Sequence, residues 1–106
     1  MKVLHLTLKK HWFELILSGK KKTEYREIKP YWNKRFIKNK EEFNQFDYIH
    51  FTNGYGSDKP YMKINFRGFD TSDNLPPKNN EPFIERCWAL KLGEIFEVGN
   101  IKAVKL

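Results

Sequence analysis

The sequence contains little cysteine and no long apolar run. Cys87 is the only cysteine, so the chain offers it no partner for a disulfide or for a cysteine-based metal cluster. No apolar stretch approaches the roughly 20 residues that span a bilayer, and the opening MKVLHLTLKK is too short and too polar for a secretory signal. We therefore expect a cytoplasmic protein with no membrane partner, no metal and no cofactor.

Positive charge is concentrated in the first part of the chain. A chain of 106 residues with 40% hydrophobic content can bury a single core. Residues 1–40 contain 12 Lys and Arg against 3 Glu, a balance of +9, whereas residues 41–106 contain 8 basic against 10 acidic residues, a balance of −2. A local positive field attracts phosphate groups, although a solvated lysine-rich surface would have the same composition.

The first twenty residues predict a strand followed by a helix. Residues 2–8 alternate with the period of a half-buried strand. Residues 9–18 place Trp12 and Ile16 one turn apart on an apolar stripe, which is typical of an amphipathic helix. Gly19 is suited to end that helix in the left-handed conformation.

The next segment predicts a second strand and a second helix. On a strand over residues 23–28, Glu24 and Arg26 share one face. Pro30 suits the first position of a short helix, which we expect over residues 31–39.

The remaining chain reads as strands joined by loops. We expect a polar connection over residues 38–44, strands over 47–53, 61–69 and 84–92, loops over 53–57 and 70–82, and a hairpin turn at Gly99 and Asn100. The strands after residue 46 follow one another without helical crossovers. We therefore predict an α+β fold, a small mixed or mostly antiparallel β-barrel flanked by two short N-terminal helices.

Two motifs resemble a known family. The first is GxKxxExR, formed by Gly19, Lys21, Glu24 and Arg26, and the second is FxNGY, formed by Phe51, Asn53, Gly54 and Tyr55. In a chain of this length they resemble the ASCH family, small PUA-like barrels related to the activating-signal-cointegrator homology region, and its single-domain phage and bacterial type. The resemblance implies one ASCH domain over residues 1–106, with a basic cleft beside the first helix that binds RNA or a nucleotide.

The candidate binding residues follow from this resemblance and from side-chain chemistry. Lys21 can meet a phosphate, Arg26 can engage a phosphate or a base edge, and Glu24 can hold the guanidinium or accept a proton. Aromatic side chains nearby can stack on bases. The full candidate set is Lys9, Gly19, Lys21, Lys22, Glu24, Tyr25, Arg26, Lys29, Trp32, Asn53 and Tyr55. A structural salt bridge between Glu24 and Arg26, and core packing of Trp32, are the alternatives.

Hydrolysis is the alternative function. The resemblance implies amidohydrolases acting on N4-acylated cytidines, with a lysine, a threonine and a later glutamate as the catalytic set, and also ribonucleases. Here Lys21 occupies the lysine position but Glu24 replaces the threonine, and Thr23 would face away on a strand. Lys21 and Glu24 are thus the catalytic candidates if the protein is an enzyme.

The histidines offer no further catalytic set in sequence order. His5 is predicted to be a strand residue rather than a ligand because no other histidine lies at metal-like spacing, and His11 and His50 are predicted to be surface or strand residues. A third function, blocking a host factor through protein contact, stays open. The sequence does not decide between binding and catalysis, and it leaves the oligomeric state open.

Overall fold

A computed structural model describes residues 1–39, 42–70 and 87–101. The elements, in chain order, are β1 (Val3–Leu8), α1 (Lys10–Leu17), β2 (Thr23–Glu27), α2 (Pro30–Phe36), β3 (Ile37–Asn39), β4 (Glu42–Phe43), β5 (Tyr48–Asn53), β6 (Tyr61–Asp70) and β7 (Cys87–Gly99). The fold is therefore mixed α+β with strands in the majority, as the sequence predicted.

Five strands form one curled sheet, a half-barrel. Their order is β1-β5-β6-β7-β2, and β3 pairs with β4 in a separate two-stranded sheet. β1 runs parallel to β5, and the other pairs in the large sheet are antiparallel. The prediction of a mixed sheet is confirmed. Because β1 and β2 are the two edge strands, the segment around Lys21 to Arg26 lies along one open edge.

The core occupies the inner side of the sheet and is covered by α1. The buried apolar side chains of this core are Leu4, Leu6, Leu8, Phe13, Ile16, Phe36, Ile49, Phe51, Met62, Ile64, Trp88, Leu90 and Leu92. The alternation along β1, β5 and the start of β6 directs every second residue inward, as a half-buried strand requires.

The first helix ends as the sequence predicts. Gly19 has a φ of 83° and its N–H donates to the carbonyl of Ile16 at 3.0 Å. The N–H of Lys21 then donates to the carbonyl of Leu15 at 3.0 Å. These bonds satisfy carbonyls that the end of a helix otherwise leaves unpaired, and they turn the chain into β2.

The second helix is shorter than predicted. It ends at Phe36, and Ile37 is already extended, with φ −100° and ψ 125°. The predicted helix over residues 37–39 was therefore wrong, and the predicted polar connection over 38–44 contains residues of two short strands, β3 and β4. The backbone N–H of Asn44 donates to the carbonyl of Phe36 at 2.8 Å, and its side-chain Nδ2 donates to that of Arg35 at 2.7 Å. Asn44, which follows β4, thus caps the last carbonyls of α2.

The last strand is longer than predicted. β7 continues through Leu92 to Gly99, because β6 pairs along it from Asp70–Ala89 to Tyr61–Gly99, with register shifts between these ends. The predicted end at residue 92 was wrong. Asn100 has a φ of 54°, as a turn at that position requires. The predicted loop from residue 71, the strand residues 84–86 and the return strand after residue 101 lie outside the described residues.

Candidate functional site

Three charged side chains meet beside the open edge of the sheet. β2 places Glu24 and Arg26 two residues apart, and the Nη1 atom of Arg26 lies 2.8 Å from Oε2 of Glu24. The Nζ atom of Lys21 lies 3.7 Å from the other carboxylate oxygen, Oε1. The backbone N–H of Tyr25 also donates to Oε1, at 3.0 Å. Glu24 thus forms ion pairs with a lysine and an arginine and accepts a hydrogen bond from a backbone amide.

Arg26 connects the two edges of the half-barrel. Its Nη1 donates to the carbonyl of Tyr25 at 2.8 Å, and its Nη2 donates to the carbonyl of Thr7 in β1 at 3.3 Å. Its guanidinium lies over the ring of Trp32, with Cζ 5.4 Å from the centroid. The side chain is only 17% exposed. These bonds assign Arg26 a structural role whatever else it contacts.

Lys21 is the buried member of the cluster. Its side chain is 2% exposed, and Nζ lies 5.1 Å from the ring centroid of Trp12 and 4.9 Å from that of Tyr25. Burial lowers the pKa of Lys21, with a further contribution from the positive charge of Arg26, whereas Glu24 opposes the shift. The environment therefore favours the neutral amine more than water does.

A cavity of about 210 Å³ adjoins this cluster between the end of α1 and the middle of β7. Its lining residues are Ile16, Gly19, Lys21, Lys22, Ile64, Leu92, Gly93, Glu94 and Ile95. The floor is apolar, and Lys22 and Glu94 are exposed charged residues at its border. Three candidate binding residues from the sequence thus share one cavity.

Other candidates lie outside this group. Lys29 pairs with Glu27 at 2.9 Å, and Tyr55 is 85% exposed in the loop after β5. Asn53 ends β5 beside Leu8, and its backbone N–H donates to the carbonyl of Pro60.

Lys9 contacts a residue of α1, and Trp32 contacts a residue of α2. Lys9 precedes α1, where its carbonyl accepts from the N–H of Phe13 at 3.0 Å. The ring of Trp32 stacks on that of Phe36, with centroids 5.4 Å apart and 18° between the planes. Phe36 covers one face of Trp32, and the Arg26 guanidinium lies over the same ring, so both contacts compete with a base for stacking on Trp32.

Two contributors were not among the candidates from the sequence. Trp12 belongs to the predicted apolar stripe of α1, and its half-buried ring packs against the core and also faces the Lys21 ammonium. Thr7 contributes only its backbone carbonyl, which any residue could supply, so its side chain carries no signal. The position of Trp12 one turn before Ile16 was visible, but its contact with Lys21 depends on how the chain returns after Gly19.

Comparisons with models of known families, with curated proteins and with solved structures found no match. The described ranges contain no group of three or more His, Cys, Asp or Glu placed to hold a metal ion. Among the helices of the described residues, none is long and apolar enough to cross a membrane.

Proposed function

We propose that the chain is an ASCH domain with a PUA-like barrel that binds RNA or a nucleotide in the cavity beside α1. The single observation that carries the proposal is that Gly19, Lys21 and Lys22, all from the motif segment, line one cavity next to the charge cluster. A basic group at the border of an apolar cavity is a suitable arrangement for a ligand with a flat ring and a phosphate.

The volume of the cavity suits a small chemical group. Ligand pockets for drug-sized molecules are typically about 300–1,000 Å³, whereas this cavity is about 210 Å³. A nucleobase or a pentose is therefore a better match than a whole dinucleotide. Ile16, Ile64 and Leu92 offer an apolar surface for the base, and Lys22 offers a cation for phosphate.

Glu24 and Arg26 serve this site indirectly. The hydrogen bond from Arg26 to the carbonyl of Thr7 links β2 to β1, and Glu24 holds the guanidinium through an ion pair on the same strand. Glu24 also lies 3.7 Å from Lys21, which lines the cavity. We therefore assign positioning roles to this pair and phosphate contact to Lys22.

Fluorescence anisotropy with a labelled single-stranded RNA, and calorimetry with free nucleotides, test this proposal. Lys22→Ala is expected to weaken binding at low salt and to reduce the slope of log affinity against log salt by about 1. Lys91→Ala is the matched control, because Lys91 is an exposed lysine on β7 beside Thr23 and does not line the cavity. Undetectable binding at low salt, or equal effects of both substitutions, would overturn the proposal.

Hydrolysis of a modified nucleoside or of RNA is the second candidate function. It is favoured by Lys21, whose pKa is lowered by burial and whose Nζ lies 3.7 Å from Glu24. A lysine with a lowered pKa can act as a general base near neutral pH. Turnover of N4-acetylcytidine or of labelled RNA should then disappear in Lys21→Met and fall in Glu24→Gln. Turnover that survives both substitutions would rule out these roles.

A further inference from the structure

Two histidines far apart in the sequence lie side by side on the sheet. The parallel pairing of β1 with β5 places His5 directly opposite His50. Their ring centroids are 5.2 Å apart and the planes are tilted by 34°. The two residues lie on paired neighbouring strands, so the backbone register places their side chains next to each other.

The pair lies on the outer face of the sheet. The residues next to His5, Leu4 and Leu6, are buried in the core, and those next to His50, Ile49 and Phe51, are buried as well. Because successive side chains on a strand point to opposite faces, the two imidazoles face outward. His5 is exposed and His50 is half-buried, so a small ion from solvent can reach the pair.

Neighbouring side chains hold His50 and balance the local charge. The ring of Tyr61 stacks on His50, with centroids 5.0 Å apart. Lys63 lies opposite His50 on β6, and its Nζ pairs with Glu97 at 3.1 Å. The hydroxyl of Tyr61 donates to the same carboxylate at 2.9 Å. Glu97 therefore offsets the positive charge of Lys63, which would otherwise repel a cation bound by the two histidines.

We propose that His5 and His50 together chelate a late divalent transition-metal ion, namely Cu²⁺, Ni²⁺ or Zn²⁺. Metal–nitrogen bonds of about 2.0–2.1 Å with a near-tetrahedral angle place the two ring centres about 5 Å apart, which matches the observed separation. Imidazole suits these ions, and Cu²⁺ is expected to bind most tightly of the three.

The two histidines would leave coordination positions of the metal ion open. In the part of the chain that the structure describes, no third His, Cys, Asp or Glu joins the pair to form a metal-binding group. Two coordination positions or more would therefore be filled by water or by a ligand from solution. The sequence alone predicted no metal ligand at His5, because its partner comes from sheet register and not from sequence spacing.

Titration of untagged protein with CuCl₂, NiCl₂ and ZnCl₂, followed by calorimetry and by NMR of the imidazole resonances, tests the proposal. The resonances of His5 and His50 are expected to broaden together with Ni²⁺ or Cu²⁺. His5→Ala and His50→Ala are each expected to weaken binding at least about tenfold, and the double variant no further, since either loss destroys the chelate.

His11→Ala is the matched control, because His11 is an exposed histidine on α1 that lies against Trp12. It should leave the affinity unchanged. Thermal unfolding without metal checks that the His5 and His50 variants fold, and added metal should raise the melting temperature of the parent and of His11→Ala more than that of the His5 and His50 variants. Absence of binding with all three ions, or binding that His11→Ala weakens as much as His5→Ala does, would overturn the proposal.

Discussion

The Arg26 guanidinium donates a hydrogen bond to the backbone carbonyl of Thr7 at 3.3 Å. Arg26 lies on β2 and Thr7 on β1, which are the two edge strands of the five-stranded sheet. An arginine side chain thus spans the gap between edges that the order of strands leaves unpaired with each other. Glu24, 2.8 Å away, holds the guanidinium in place, and the motif pair is first of all part of the fold.

Replacing Arg26 should destabilise the protein. Arg26→Met removes the contact with Thr7 and leaves the buried Glu24 carboxylate with one positive partner fewer. Removing one partner of a buried pair costs about 3–5 kcal/mol, and the partial exposure of Arg26 lowers our expectation to about 2–3 kcal/mol. Urea unfolding measures the change.

A triple variant separates loss of closure from the unbalanced charge. If the buried carboxylate causes most of the loss, Lys21→Met with Glu24→Leu and Arg26→Met should be more stable than Arg26→Met alone, because no buried charge of the cluster then remains without its partner. Unchanged stability in Arg26→Met would contradict the role of Arg26 in closing the sheet.

Lys21 should make stability rise with pH on the alkaline side. Its pKa is lowered in the folded protein, chiefly by burial, from the usual value of 10.5. Between the lowered pKa and 10.5 the unfolded chain binds more protons than the folded one, so the free energy of unfolding increases with pH in this window. Urea midpoints measured at several alkaline pH values should show this increase for the parent and a flatter profile for Lys21→Met.

The neighbouring Lys20 provides the control for that measurement. Lys20 is exposed, so Lys20→Met should retain the alkaline rise. A profile that Lys20→Met and Lys21→Met change equally would show that general charge, and not the burial of Lys21, causes the pH dependence.

Substitution of Gly19 should destabilise the protein because of the backbone conformation at this position. Its φ of 83° lies in the left-handed region, and no atom lies within 4 Å of an added Cβ. The expected cost of Gly19→Ala is therefore that of the backbone alone, about 1–2 kcal/mol. Gly19→Asn should cost less, because asparagine tolerates this conformation better. Thermal and urea unfolding compare the two variants, and equal losses would contradict the explanation.

Cys87 should react with thiol reagents only when β7 opens. It is 8% exposed, and burial raises the pKa of its thiol. The thiolate is the reactive form, so native protein should be labelled far more slowly than glutathione under the same conditions. Labelling should speed up as urea unfolds the protein. Native protein that reacts as fast as glutathione would show that the start of β7 is not closed.

The sequence by itself determined the features that depend on local periodicity. The alternation along β1, β5 and β6, the apolar stripe of α1 and the left-handed turn at Gly19 all follow from residues within a few positions of one another. Glu24 and Arg26, which are predicted to share one face of a strand, also meet as expected. The ASCH assignment rests on the motif residues and stays a proposal.

Tertiary structure decided the features that depend on distant contacts. Asn44 caps α2 from beyond β4, and pairing with β6 keeps β7 continuous. Neither the end of α2 nor the end of β7 could therefore be predicted from the residues near it. The burial of Lys21 likewise results from the rings of Trp12 and Tyr25 closing around it.

Strand register is the clearest example of a feature that only the tertiary structure decided. Nothing near His5 in the sequence indicates His50, and nothing near Arg26 indicates Thr7. Parallel pairing of β1 with β5 brings the first pair together, and the curl of the sheet brings the second. Burial and register are set by which strands become neighbours, a choice made by the whole core. A pattern read along one segment therefore determines the elements, whereas the assembled sheet determines the sites.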